Sequence, residues 1–149
     1  KGMALWTLTY NKDFAYAFLD VLGNPQTYGE YYHITSDKVY TWERLYEMIC
    51  EKLDRKPNIV YIPTDFIVEH FPKFSGELYG DKQKSLTFDN SKIKAVAPNY
   101  RSKTDYSNIV KKALKRLLKD EKLQKVDHEF IVKYEKCIKE YEKQQEKLV

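Results

Sequence analysis

"WTLTYNKDFAYAFLDVLGNPQTYGEYYHIT", residues 6–35, decides how the rest of the chain is read. Trp6 to Thr9 is a short β-rich run. Asn11 follows as a helix N-cap, and Asp13 sits in the first turn, where the helix dipole favours an anion. Phe14, Ala17, Phe18, Val21 and Leu22 recur at helical spacing, and Gly23 with Pro25 beyond it supplies the stop. "GEYYHIT", residues 29–35, is then a second strand. A strand, a helix and a strand in thirty residues set the expectation of an α/β fold.

Outward from there the alternation continues. Thr41 caps a helix with Trp42, Leu45, Tyr46, Ile49 and Leu53 on one face. "NIVYI" (58–62) is a third strand, closed by Pro63, and 64–71 is a short helix. Residues 72–84 form a loop with Pro72, Gly76 and Gly80. "SLTF" (85–88) is a fourth strand, and Asp89 caps a helix that ends near Pro98. Thr104 or Asp105 caps a long helix, and a last one starts near Asp127, with a stripe of Phe130, Tyr134, Cys137, Tyr141 and Leu148. The expectation is a single domain over 1–149. It has an α/β part at 1–100, with a small sheet of about four short strands, partly parallel, and about six helices in all. The part from 101 to 149 is all-helical.

Composition narrows the class. The chain of 149 residues, 42% apolar and 32% charged, is globular rather than disordered. At this length it can bury roughly 68–70% of its unfolded surface without a staple. Cys50 and Cys137 lie far apart in helical patterns, without metal or redox spacing, and read as reduced packing residues of a cytoplasmic protein. No apolar run reaches the roughly 18 residues of a membrane span, and no signal peptide opens the chain. The first residue is Lys1, which suits an expressed piece or a cleavage product. The net charge of +4 is localised: residues 101–126 hold nine basic and three acidic side chains, while the flanking stretches nearly balance.

Much chemistry is missing. The five glycines, at 2, 23, 29, 76 and 80, form neither a G-x-G-x-x-G turn nor a P-loop. His33, His70 and His128 share no metal spacing, and His33 alternates along a strand as a structural histidine does. No nucleophile elbow or His–Cys pairing is present. None of the 13 tyrosines has a lysine four residues on. Taken alone, these residues do not make an enzyme.

The order of motifs nevertheless resembles a known family. "WTLTYNKDFAYAFLDVLGNPQTYGEYYHITSDKVYTWERLYEMICEKL" is similar to the C-terminal half of extended short-chain dehydrogenase/reductases, the NAD-dependent epimerase/dehydratase family. "YGDKQKSLTFDNSKIKAVAPNY" resembles that family's Gly-Asp loop, Asp-x-Ser-Lys helix and Pro-aromatic end, and "TDYSNIVKKALKRLL" its closing helix. The resemblance implies the substrate-side portion of such a protein, without the Rossmann half that carries the glycine fingerprint and the catalytic Tyr-x-x-x-Lys. It implies NAD or NADP for the full-length protein but no cofactor in this portion, and a sugar-like substrate. An exposed sheet edge and bared apolar face would be covered by another chain, with a homodimer as one form.

The resemblance also brings two segments, Trp6–Asn11 and Gly80–Lys84, to one cleft. Trp6 and Tyr10 would supply stacking and apolar area, Asn11 and Asp81 polar contacts, and Lys82 a cation. Each has a plainer reading: Trp6 as core, Asn11 as helix cap, Lys82 and Lys84 as solvated lysines. Neither segment contains an arginine, the bidentate partner of a diphosphate, so a ligand of modest negative charge is expected. Two rival classes remain. Lys111, Lys112, Lys115, Arg116 and Lys119 make one basic helix face that could meet RNA, although a solvated lysine face is the commoner explanation. The 130–148 stripe could dock a protein partner or fold back on the domain.

Overall fold

A computed structural model describes residues 2–147; Leu148, the end of the expected last stripe, lies outside them. The expectation of a four-stranded α/β sheet is corrected: the chain is mostly helical, with one two-stranded antiparallel ribbon among the described residues. β1 (Leu5–Thr7) pairs with β2 (Val39–Thr41) in the register Leu5–Thr41, Trp6–Tyr40 and Thr7–Val39. The helices are α1 (Asn11–Val21), α2 (Trp42–Lys52), α3 (Thr64–His70), α4 (Ser75–Glu77), α5 (Ser91–Val96), α6 (Tyr106–Leu117) and α7 (His128–Glu146). A five-residue π turn, Leu78–Lys82, continues α4, so most of the expected 72–84 loop is helical turns.

Each missing strand fails for a visible reason. In 29–35 the alternation is real: Tyr32 and Ile34 pack on the core while Tyr31 and His33 face water. Its backbone, however, is satisfied by side chains instead of a ladder. Thr35 donates its N–H to Asn90 Oδ1 (3.2 Å), and its carbonyl accepts from the Tyr100 hydroxyl (2.8 Å). Residues 85–88 come nearest to pairing. Leu86 donates its N–H to the Leu5 carbonyl (2.9 Å), and Leu5 N–H is taken by the Ser85 hydroxyl (3.0 Å), which leaves a single backbone bond where a ladder needs more. Residues 58–62 run alone, and their half-buried Ile59, Val60 and Ile62 line a cleft described below. Of the two strands that do form, β1 is the expected 6–9 run shifted to Leu5–Thr7, and β2 lies in a stretch that reads as the approach to α2.

The core sits between α1 and α5. Ala17 and Ile93 are fully buried and Ala97 nearly so, with Val21, Tyr32, Ile34, Val96 and Tyr100 packed around them. Ala17 lets α5 approach α1 closely, and burying Ile93 contributes roughly 1.5–3 kcal/mol. Buried polar groups tie the rim. Asp13 accepts from both the N–H and the hydroxyl of Thr104 (2.9 Å each), and Asn90 Nδ2 donates to Asp37 (3.0 Å). Burial, and then the Asp37 carboxylate that its hydroxyl donates to, push Tyr100 well above the usual tyrosine value.

Two further seams complete the body. Leu45 and Met48 of α2 are buried where α6 crosses it with buried Val110. α7 folds back on α3 through the first four positions of its stripe. Phe130 meets Phe71 and Phe74, Tyr134 meets Phe71, Tyr141 meets Phe66, and Cys137 is buried between them. The opposite side of α1 is left open: Phe14, Phe18, Leu19 and Leu22 are all exposed.

Capping follows the sequence in part. Thr41 accepts from Arg44 N–H (3.1 Å) and Asp127 from Phe130 N–H (2.9 Å), bonds worth about 1 kcal/mol each. Gly23 takes a φ of +74° just past α1, as a helix stop requires. Asn11 is not a cap: α1 is preceded by Tyr10, and Asn11 is its first helical residue.

Candidate ligand cleft at the tryptophan pair

β1 presents Trp6 toward the start of α2. There β2 ends in Thr41, whose hydroxyl caps the helix and so fixes Trp42 as its first residue. The two indoles lie with centroids 5.0 Å apart, tilted by 32°. The π turn delivers Lys82 to the same place. Its carbonyl accepts from Trp42 Nε1 (3.0 Å), and its ammonium stands 4.4 Å above the Trp6 ring and 6.0 Å from that of Trp42. Such a cation over an indole contributes about 0.5–1 kcal/mol where solvent reaches it. Lys82 Nζ also donates to Asp81 Oδ2 at 2.6 Å, an ion pair whose side chains are both over a third exposed, which limits it to about 1 kcal/mol or less.

Beside this cluster opens a cleft of about 610 Å³, lined by Met3, Trp42, Ile62, Ile67, Leu78 and Lys82, with Thr64 and Gln83 as neutral polar groups. A second lobe of about 420 Å³ shares Trp42, Tyr46, Ile62 and Ile67 and ends at Glu43 and Tyr61. The Tyr61 hydroxyl donates to the Glu43 carboxylate, which raises the tyrosine's pKa. Both volumes fall in the range of about 300–1,000 Å³ typical of small-molecule sites.

Three of the five residues expected in a site therefore meet: Trp6, Asp81 and Lys82. The other two stand apart. Tyr10 is turned to α6, where Lys112 Nζ lies 4.8 Å above its ring and 3.3 Å from its hydroxyl. Asn11 is exposed on the first turn of α1. Lys84 is an exposed residue just past the π turn. The residue that sequence reasoning missed is Trp42. Its position after a cap threonine reads as the start of an apolar helix face, and only the β1–β2 pairing shows that it meets Trp6.

Other chemistry-bearing groups are structural in their contacts. His70 has both ring nitrogens against acceptors, Nδ1 at 2.9 Å from the Phe66 carbonyl and Nε2 at 2.8 Å from Glu140. The Glu140 bond, then the Phe66 carbonyl, raise its pKa, and the same pair lowers that of Glu140. Among the described residues no group of three His, Cys, Asp or Glu side chains is placed to hold a metal ion, and no helix is long and apolar enough to cross a membrane. Lys111, Lys115 and Arg116 on α6, and Lys119 just past its end, are exposed. No protein-family model, curated protein or solved structure matches the chain.

Proposed function

We propose that this chain is the substrate-side portion of an NAD(P)-dependent sugar or nucleotide-sugar epimerase, dehydratase or reductase of the extended short-chain type, inactive by itself. One observation carries the reading. The two segments that the family resemblance brings to one cleft meet here through Lys82 over Trp6, although those two residues lie 76 positions apart. The exposed apolar side of α1 adds support, since a larger body would cover it.

The residues present do not fit a dinucleotide. Pyrophosphate binding needs a glycine turn between a strand and a helix N-terminus. Gly23 follows the C-terminus of α1, Gly29 lies in a loop with φ +75°, Gly76 and Gly80 are inside helical turns, and Gly2 precedes β1. No step is therefore assigned to a cofactor on this chain. Its part is to bind and orient the far end of a substrate by apolar contact with Trp42 and by polar contact at the Lys82 end of the cleft, both held in place by Trp6 packed against them.

The test is the full-length protein assayed with NAD(P) against sugars and nucleotide sugars. Trp6→Ala and Lys82→Ala should each raise KM several-fold more than they lower kcat, because they remove binding rather than chemistry. Unchanged kinetics in both variants would overturn the assignment. The isolated chain should show no NAD or NADP binding by calorimetry at millimolar ligand, and a micromolar Kd would overturn that part.

A further inference from the structure

Among the described residues the cleft's charge is balanced from within. The one lining cation among them, Lys82, has a carboxylate at 2.6 Å and two indole faces around it. The charged residue at the end of the second lobe is an acid, Glu43, engaged by the Tyr61 hydroxyl. None of the four arginines lines either lobe, and two of them are occupied elsewhere. Arg44 bridges Glu47 (2.9 Å) and Glu51 (2.7 Å), and Arg101 lies flat on Tyr16 at 3.5 Å. A phosphate entering this cleft would meet an ammonium whose charge Asp81 already offsets, and a second carboxylate beyond it. Bidentate recognition of an oxyanion has no donor here.

We propose that the cleft takes an uncharged hydroxylated ring, the neutral saccharide end of a ligand, and discriminates against phosphate at that end. The walls suit this shape. Trp42, Ile62, Ile67 and Leu78 offer flat apolar area for the C–H face of a ring. Thr64, the Gln83 carboxamide and the ammonium hydrogens not donated to Asp81 offer hydrogen bonds to hydroxyls at its edge. Asp81 acts as the specificity-determining residue. By holding Lys82 it converts a cation into a hydrogen-bond donor with little net charge. This rests on the reading of the cluster as the site for the far end of the substrate.

The chain provides its own probe, because Trp6 and Trp42 are its only two tryptophans and both belong to the cluster. Tryptophan fluorescence of the chain would be titrated with a methyl glycoside, the corresponding sugar 1-phosphate, a nucleoside diphosphate sugar and inorganic phosphate. The expected result is a saturable response to the methyl glycoside in the millimolar range, with the phosphorylated ligands no tighter. Asp81→Asn should release the Lys82 charge and tighten binding of the sugar 1-phosphate at least tenfold, with little change for the methyl glycoside. Wild-type protein that binds either phosphorylated sugar at least tenfold more tightly than the glycoside overturns the neutrality of the cleft and leaves the site in place. An Asp81→Asn variant with unchanged anion affinity also overturns it. No fluorescence response to any saccharide overturns the site itself. The wild-type comparison decides the matter even if the variant fails to fold.

Discussion

The α1–α5 core and the α3–α7 seam hold this molecule by different means. In the first, small and branched residues, Ala17, Ile93 and Ala97, close completely and polar side chains lock the rim. In the second, aromatic rings meet edge to face or tilted with centroids 5.2–6.2 Å apart, and Tyr134 at its margin keeps 43% of its surface in water. A closed core of small residues leaves a cavity when cut, because its neighbours are fixed by their own hydrogen bonds. An aromatic seam can slide and resettle. The two should therefore fail differently, the core globally and the seam locally.

The largest expected effect is at the core. Ile93→Ala should cost about 3–4 kcal/mol, since the side chain is fully buried and the Asn90 and Tyr100 bonds on either side limit collapse. Urea unfolding followed by circular dichroism measures this; a loss below about 1 kcal/mol would show that the site resettles as readily as the seam. Next comes Phe71→Ala, at about 2–3 kcal/mol. Phe71 is 7% exposed and touches Phe74, Phe130 and Tyr134, but water and those partly exposed rings can occupy its place. Hydrogen exchange should show faster exchange confined to α7, and uniform acceleration across α1 and α5 would erase the distinction.

The smallest effect is a pH dependence of the seam. Two acceptors face His70, so both bonds are made only by the imidazolium, and its folded pKa lies above the ordinary value of about 6.5. The contribution is therefore complete below about pH 6.5 and is lost as pH rises through the raised folded value. Glu140, with its pKa lowered, stays ionised throughout that window. Glu69, Lys136 and Glu140 are the other charged groups around the ring, and the Cys137 thiol, pushed up by burial, stays protonated there. Thermal melts at pH 6 and pH 8 should show a drop in Tm that His70→Gln reduces. Exposed His33 and His128 are common to both proteins and cancel. Equal pH slopes would remove His70 from the seam's account.

Legibility in the sequence followed the same division. Helices were readable because their signals are local: the caps at Thr41 and Asp127, the stop at Gly23 and the stripe on α7 are all short-range. Strands beyond β1 were not, because a strand exists only with a partner, and alternation in "GEYYHIT" reports an inward and an outward side without saying whether the backbone has a ladder to join. The site shows both cases. Motif order sets Trp6 beside the Asp81–Lys82 pair, and these three do lie together, whereas Trp42 reaches them by the antiparallel pairing of β1 and β2, which no local pattern announces. Tyr10 and Asn11 were misplaced with the cluster because proximity in sequence to Trp6 does not survive the turn into α1.

Cys137 makes the opening of α7 a countable event. Its thiol is 2% exposed on the face that α7 turns inward, and burial keeps it protonated and slow to react. An alkylating reagent can reach it only while the helix is lifted. Cys50, half-buried on α2 and outside the aromatic stripe of the seam, calibrates the reagent in the same tube. The ratio of the two labelling rates, followed by mass spectrometry, is then a clock for α7 undocking. It gives the fraction of time the helix is open when reclosing is fast, and the opening rate when labelling is faster than reclosing.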